Sequence, residues 1–236
     1  MTIPHNFSSH LTHRSQVRLW LVVASFLALT FSSSAEIIPY AGAIGGVATL
    51  SADAGSQPSS GGGLNLSSYA PANGGALNLF AGAHVHDYFS LQANYIWNSN
   101  RLRLNSASSS GGTFYQEDRN SSHQAAIFDF LLYFRRRSSR IRPYLGTGGG
   151  VVHLSSSQDR ILASGGTAAF PPVRFSSTGP VFRSHVGIDL RLASKLDFRY
   201  SFSEMIGSNE ISRHLSPPGP RGLENFQNLF GFVVRF

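Results

Sequence analysis

The sequence predicts an all-β protein, an eight-stranded antiparallel up-and-down transmembrane β-barrel, and three observations carry that prediction. Apolar and polar residues alternate with a period of two in segment after segment beyond Ala35. The connections between those segments alternate in length, short then long. A leader of the secretory type precedes them in a chain without cysteine.

The alternation is explicit in "FSLQANYIWNSN", where Phe89, Leu91, Ala93, Tyr95 and Trp97 share one side and Ser90, Gln92, Asn94 and Asn98 the other. "LDFRYSFS" is stricter, with Leu196, Phe198, Tyr200 and Phe202 against Asp197, Arg199, Ser201 and Ser203. "VFRSHVGIDLRL" and "AAIFDFLLYF" repeat the pattern, placing Arg183, Asp189, Arg191 and Asp129 opposite an apolar row. Strands are therefore expected at 37–50, 74–86, 88–104, 123–135, 140–155, 179–192, 195–207 and 224–236.

Tight turns are expected at 86–88, at the "RRSSR" after Arg135 and at Ala193-Ser194. Long loops rich in Ser, Gly, Asn and Pro are expected over 51–73, 105–122, 156–177 and 208–223. A soluble sandwich also buries one apolar face, but it does not require such long strands, or short connections at one end and long ones at the other. A barrel in a bilayer requires strands of about 9–11 residues and a closed sheet, because lipid cannot pair with the backbone. Short periplasmic turns and long extracellular loops are its usual form.

Residues 1–35 read as a secretory signal peptide: Arg14 and Arg18, an apolar run from Leu19 to Phe31, then small residues ending at Ala35. The barrel domain then occupies 36–236. Absence of cysteine means that the oxidising compartment is not used for stapling. The formal charge is +7, and arginine supplies all but one of the 19 basic side chains, yet these are scattered along strands rather than clustered. That distribution argues against nucleic acid as a partner and suits arginines that pair with acids or face phosphate headgroups.

"PYAGAIGG" from Pro39 and "PYLGTGGG" from Pro143 form a near-repeat on the first and fifth strands. Tyr40 and Tyr144 are expected at one membrane interface, with inward glycines leaving room for bulky arginines from other strands. The chain ends "ENFQNLFGFVVRF": Phe226, Phe230, Phe232, Val234 and Phe236 are expected to face lipid while Arg235 turns inward, the last strand pairing back to the first.

On "RPYLGTGGGVV" at 142–152, "VGIDLRLASKLDFRYSF" at 186–202 and the terminal "FGFVVRF", the chain resembles the eight-stranded bacterial outer-membrane β-barrel superfamily, which includes the OmpA transmembrane domain and the opacity-type surface proteins. The resemblance covers 36–236 and implies a Gram-negative cell outer membrane as location. It also implies an assembly signal at Phe232, Val234 and Phe236, read by periplasmic chaperones and the barrel assembly machinery. No peptidoglycan-binding domain follows, so a wall-anchoring role is not implied.

Inward charges at Asp129, Arg183, Asp189, Arg191, Asp197, Arg199 and Arg235 need partners in a narrow lumen, since an unpaired charge in low dielectric is costly. They are expected to form an ionic network that fills the barrel; the alternative is a narrow porin-like path gated by switching those pairs. His84 and His86 lie two apart and so are expected on one strand face next to Asp87, but no third ligand accompanies them in sequence, and neither a metal nor any other cofactor is expected. His214, Ser216 and Glu224 look faintly like the catalytic set of outer-membrane lipid A deacylases, as base, nucleophile and orienting acid. Pro217 departs from that pattern, and no catalysis is expected. Partners are outer-membrane lipid and, through long loops carrying Phe114, Tyr115, Phe170 and Phe175, an extracellular ligand; a loose polar fringe is the open alternative. A structural or surface-interaction role follows.

Overall fold

Among the described residues, period-two sequence becomes ten strands and one helical turn. The strands are β1 (Ile38–Ser51), β2 (Gly55–Pro58), β3 (Leu64–Pro71), β4 (Gly74–His84), β5 (Phe89–Ser108), β6 (Gly112–Tyr133), β7 (Ile141–Ser164), β8 (Arg174–Arg191), β9 (Leu196–Ser208) and β10 (Gly222–Arg235). The turn, α1, is Glu210–Arg213. This computed structural model describes residues 37–51, 55–58, 64–71, 73–108, 112–165, 170–208, 210–214, 217–218 and 222–236; the leader expected at 1–35 lies outside them.

Every strand pairing is antiparallel, and eight strands close a ring in the order β1, β4, β5, β6, β7, β8, β9, β10. Closure is made by β10 on β1, from Tyr40 opposite Arg235 to Ser51 opposite Glu224. No edge remains along these staves, which removes the unpaired backbone groups that hydrocarbon could not satisfy. The β2–β3 hairpin adds to the upper part of β5, with Tyr69 opposite Leu104.

The strands outrun their expected limits. β5, β6 and β7 contain 20, 22 and 24 residues, about twice what a bilayer crossing needs. Stretches expected as long loops carry β2, β3, α1 and the upper ends of β5 to β8. The reason lies in the interior: Leu50, Leu102, Leu104, Tyr115, Leu154, Ile211 and Leu223 form a buried apolar cluster, with Phe175 packed against it. That cluster holds the upper ends of the staves together from within, while polar residues such as Arg101, Arg103 and Asn120 are exposed on the outside. Tyr115 and Phe175 are thus parts of a core rather than loop residues, and Phe170 lays its ring 5.1 Å from that of Tyr115.

Within the membrane the faces divide by parity. Leu91, Tyr95, Trp97, Phe128, Phe130, Val186, Tyr200, Phe202, Phe230, Phe232 and Val234 are exposed on the outer face. Ser90, Gln92, Asn94, Asp129, Arg183, Asp189, Arg199, Ser201 and Gln227 are buried within. Tyr95 donates its hydroxyl to Gln124 at 3.3 Å, and Tyr200 donates to Asn228 at 2.9 Å, so both amphipathic rings end in a polar contact on the outer wall.

Candidate functional site in the barrel lumen

The lower lumen is built around Arg199, which projects inward from β9 directly opposite Asp189 of β8. Arg199 donates from Nε to Asp189 Oδ1 at 2.6 Å and from Nη2 to Asp189 Oδ2 at 2.7 Å. This two-point fit matches the fork of the guanidinium to the carboxylate. The remaining donors are also used: Nη1 reaches Gln92 Oε1 at 2.7 Å and Nη2 reaches the Tyr133 hydroxyl at 2.9 Å. Tyr133 in turn donates to Asp189 at 3.0 Å, and Tyr40 donates to Gln92 at 3.1 Å. Aromatic faces complete the enclosure, with the Arg199 guanidinium carbon 4.9 Å from the Phe80 ring centre, 5.0 Å from Tyr144 and 5.8 Å from Tyr40.

Tyr40 and Tyr144 are therefore lumen residues, not interface anchors. Their parity explains it: each stands two positions before an inward glycine, Gly42 or Gly146, and so points the same way. The glycines make room as the near-repeat suggests, but for different neighbours. A Cβ on Gly42 would overlap the Phe80 ring, one on Gly146 would overlap the His185 ring, and one on Gly148 would overlap Asp129 Oδ1.

Gly148 matters most for the charge pattern. It lies opposite Asp129 of β6 on one side and Arg183 of β8 on the other. Having no side chain, it lets the two meet across an intervening strand, and Arg183 Nη1 donates to Asp129 Oδ2 at 2.7 Å. Asn94 donates to the same oxygen at 3.0 Å, and His185 Nε2 lies 3.2 Å from it. Gln92 and Asn78 donate to Asn94 at 2.6 and 3.1 Å, joining this layer to the one below.

At the mouth that carries the short turns Asp197 receives Arg235, with Nε at 2.9 Å and Nη2 at 3.1 Å. Arg191 joins the network at its edge: it stands opposite Asp197 with Nε 3.9 Å from Oδ1, while its guanidinium also donates to the carbonyls of Ser138 and Arg137. Asp87, in the turn after β4, accepts Arg137 at 2.8 Å, a bond that holds its carboxyl below the usual range.

His84 and His86 do not share a face, because β4 stops at His84 and the chain turns. His84 is buried with Nδ1 2.5 Å from Ser90 Oγ, whereas His86 packs its ring 5.7 Å from both Tyr88 and Phe89. Among the described residues no cluster of three His, Asp or Glu is placed to hold a metal. His214 follows α1 and lays its ring 4.6 Å from Phe175 on the lumen side, while Glu224 shares the outer parity of Phe226 on β10. Ser216 lies outside the described residues.

A second buried pair sits in the upper barrel and escapes the alternation reading because its segment reads as loop. Glu117 and Arg119, both fully buried, meet at 2.7 Å. Gln158 donates to Glu117 at 2.5 Å; Arg119 donates to Ser156 Oγ at 3.1 Å and to the Pro172 carbonyl at 2.9 Å, and stacks 4.7 Å from the Phe175 ring. The available signal was spacing: Tyr115, Glu117, Arg119, Ser121 and His123 keep the inward parity of Asp129.

A closed antiparallel ring with lipid-type residues outside and charged pairs inside agrees with the family whose model, described as outer membrane protein beta-barrel domain, matches residues 20–236. The chain belongs to this family. It is a β-barrel protein of the cell outer membrane. No curated protein matches it. Solved structures similar to this outer-membrane barrel include Neisserial surface protein A, 17% identical over 84% of this chain and 97% of that one, with a TM-score of 0.42. OprG from Pseudomonas aeruginosa is 15% identical over 84% and 96%, with a TM-score of 0.47. Ail of Yersinia pestis, solved with the heparin analogue sucrose octasulfate, is 10% identical over 84% and 99%, with a TM-score of 0.45.

Proposed function

We propose that this barrel is a structural, surface-interaction protein of the outer membrane whose lumen is a plug of paired charges, and that it neither catalyses a reaction nor conducts. The observation that carries the reading is the stacking of layers along the lumen. Arg199–Asp189 and Arg183–Asp129 occupy the membrane part, each at hydrogen-bonding distance. Above them lie an apolar layer, Ile96, Ala125, Ile127, Val152, Val181 and Met205, and then the apolar cluster of the upper barrel. Ions would have to cross two oily layers and break well-fitted pairs, in a ring of eight strands that its own side chains nearly fill.

The partners follow from the same reading. The apolar belt contacts outer-membrane lipid, the strand ending in Phe232, Val234 and Phe236 serves assembly by periplasmic chaperones and the barrel machinery, and the long upper barrel presents a ligand-binding surface to the exterior. Single-channel recording of purified protein in planar bilayers tests the plug: a flat trace is expected, and discrete conductance steps would refute it. Lipid A mass spectra from cells with and without the gene are expected to coincide; a lost acyl chain would return His214 to consideration as a base.

A further inference from the structure

The periplasmic end carries more cation than its acids can neutralise. The β6–β7 turn reads Arg135-Arg136-Arg137-Ser138-Ser139-Arg140, and Lys195 stands in the β8–β9 turn. The acids here are already engaged: Asp87 with Arg137 at 2.8 Å, Asp197 with Arg235 at 2.9 Å and Asp189 with Arg199 at 2.6 Å. Arg135, Arg140 and Lys195 are exposed and have no acidic partner among the described residues. Arg136 is exposed too and donates only to the Tyr88 hydroxyl, at 3.3 Å.

The turn is also held in place. Arg191 clamps it from β8 through the carbonyls of Arg137 and Ser138, and the Ser139 N–H donates to the Arg136 carbonyl at 3.0 Å. Immediately outside the cations stand lipid-facing residues: Phe134, 58% exposed, precedes Arg135, and Ile141, 45% exposed, follows Arg140. The guanidiniums therefore lie one residue beyond the edge of the hydrocarbon, at the level of the headgroups. An aromatic ledge supports this edge, with Tyr88 and Phe89 around His86 and Phe89 stacked 5.4 Å from Phe130.

We propose that this turn is a binding surface for anionic phospholipids of the inner leaflet, with Arg135, Arg136 and Arg140 receiving the headgroup phosphate. A guanidinium fork matches phosphate oxygens at two points, and a turn fixed by Arg191 presents several forks together without having to be ordered by the lipid. Phe134 and Ile141 sit where the same lipid's acyl chains begin.

The test is lipid retention. The barrel is released from micelles holding equal amounts of phosphatidylethanolamine and phosphatidylglycerol, and bound lipid is counted by native mass spectrometry. Phosphatidylglycerol is expected to be kept over phosphatidylethanolamine. Each arginine removed in the series to R135Q/R136Q/R140Q is expected to lower that retention about fivefold, less so at high salt. The R135K/R136K/R140K variant keeps the charge and is expected to keep most of the lipid, and a boiled-against-unboiled gel shift checks that every variant is folded. R101Q/R174Q, which removes exposed arginines at the opposite end, is expected to change nothing. Equal retention of the two lipids by the wild type, undiminished phosphatidylglycerol in the glutamine variant, or an equal loss in R101Q/R174Q would each overturn the proposal. So would sedimentation with purified peptidoglycan that the glutamine variant loses while its lipid retention stays intact.

Discussion

The membrane part and the upper part of this barrel share staves and parity, yet they are built inside out relative to each other. On β5, Phe89, Leu91, Tyr95 and Trp97 face outward and Gln92 and Asn94 inward; further up the same strand Arg101 and Arg103 face outward and Leu102 and Leu104 inward. The strand does not slip: β5 and β6 keep one register from Phe89 opposite Leu132 to Ser106 opposite Tyr115. What changes is the solvent. Lipid selects apolar groups outside and leaves polar ones to satisfy each other within, whereas water selects polar groups outside and drives apolar ones into a core.

The sharpest way to break this comparison is to remove one member of a buried pair in each part. Asp189→Ala strands the guanidinium of Arg199, which is 1% exposed, and is expected to cost about 3–5 kcal/mol of barrel stability. Urea titration in vesicles, read by the gel shift of unboiled protein, measures it. Glu117→Ala leaves Arg119 equally uncompensated, but its effect is expected above the bilayer: proteolysis of the upper strands accelerates while the gel shift survives. If Glu117→Ala abolished the gel shift, the two parts would be one cooperative unit and the comparison would lose its energetic content.

The next effects invert the two faces. Leu104→Ala, in the core of the upper barrel, is expected to cost about 2–5 kcal/mol locally, read as faster nicking by added protease. On β6, Phe128→Arg places a charge against lipid and is expected to cost about 2–4 kcal/mol near the midplane. Asn120→Arg, on the same strand and the same outward face, is expected to stay within about 0.5 kcal/mol. Equal costs at 120 and 128 would mean that the outer solvent does not change between them.

That inversion also explains what the sequence could and could not disclose. In the membrane part, alternation identifies faces residue by residue, so Asp129, Arg183, Asp189, Asp197 and Arg199 are legible as inward groups from the sequence alone. Above it the apolar phase moves by one residue while the strand runs on, so a reader following hydrophobicity ends β5 at Leu104, begins β6 near His123 and misses Glu117 and Arg119. Pairing itself was less legible than burial. Asp189 and Arg199 are cross-strand neighbours and follow from the tight turn at 193–194, but Asp129 reaches Arg183 only because Gly148 lies empty between them, a relation that needs the register of three strands. Tyr40 and Tyr144 fail for another reason: an amphipathic ring suits an interface and an arginine cage equally well, and parity, not chemistry, decides between them.

The smallest expected effect again separates the two parts, through pH. On the outer wall of the upper barrel Asp118 accepts Arg103 at 2.8 Å and lies 3.3 Å from Arg160. The hydrogen bond from Arg103, with added help from Arg160, holds its carboxyl below the usual range. A depressed carboxyl contributes stability that is fully present above the unfolded value, about 3.9, and that is lost as pH falls through the folded value. The upper barrel is therefore expected to keep the same resistance to proteolysis from about pH 7 to pH 5 and to loosen slightly below about pH 4. Asp118→Asn should remove the part of this acid dependence that arises from the Arg103 pair. The membrane part has no share in that exposed pair, so its gel shift is expected to be the same for both proteins across the range. Pepsin nicking at graded acid pH measures the difference, and coincident nicking curves for wild type and Asp118→Asn would show that the outer-wall pair adds nothing to the upper barrel.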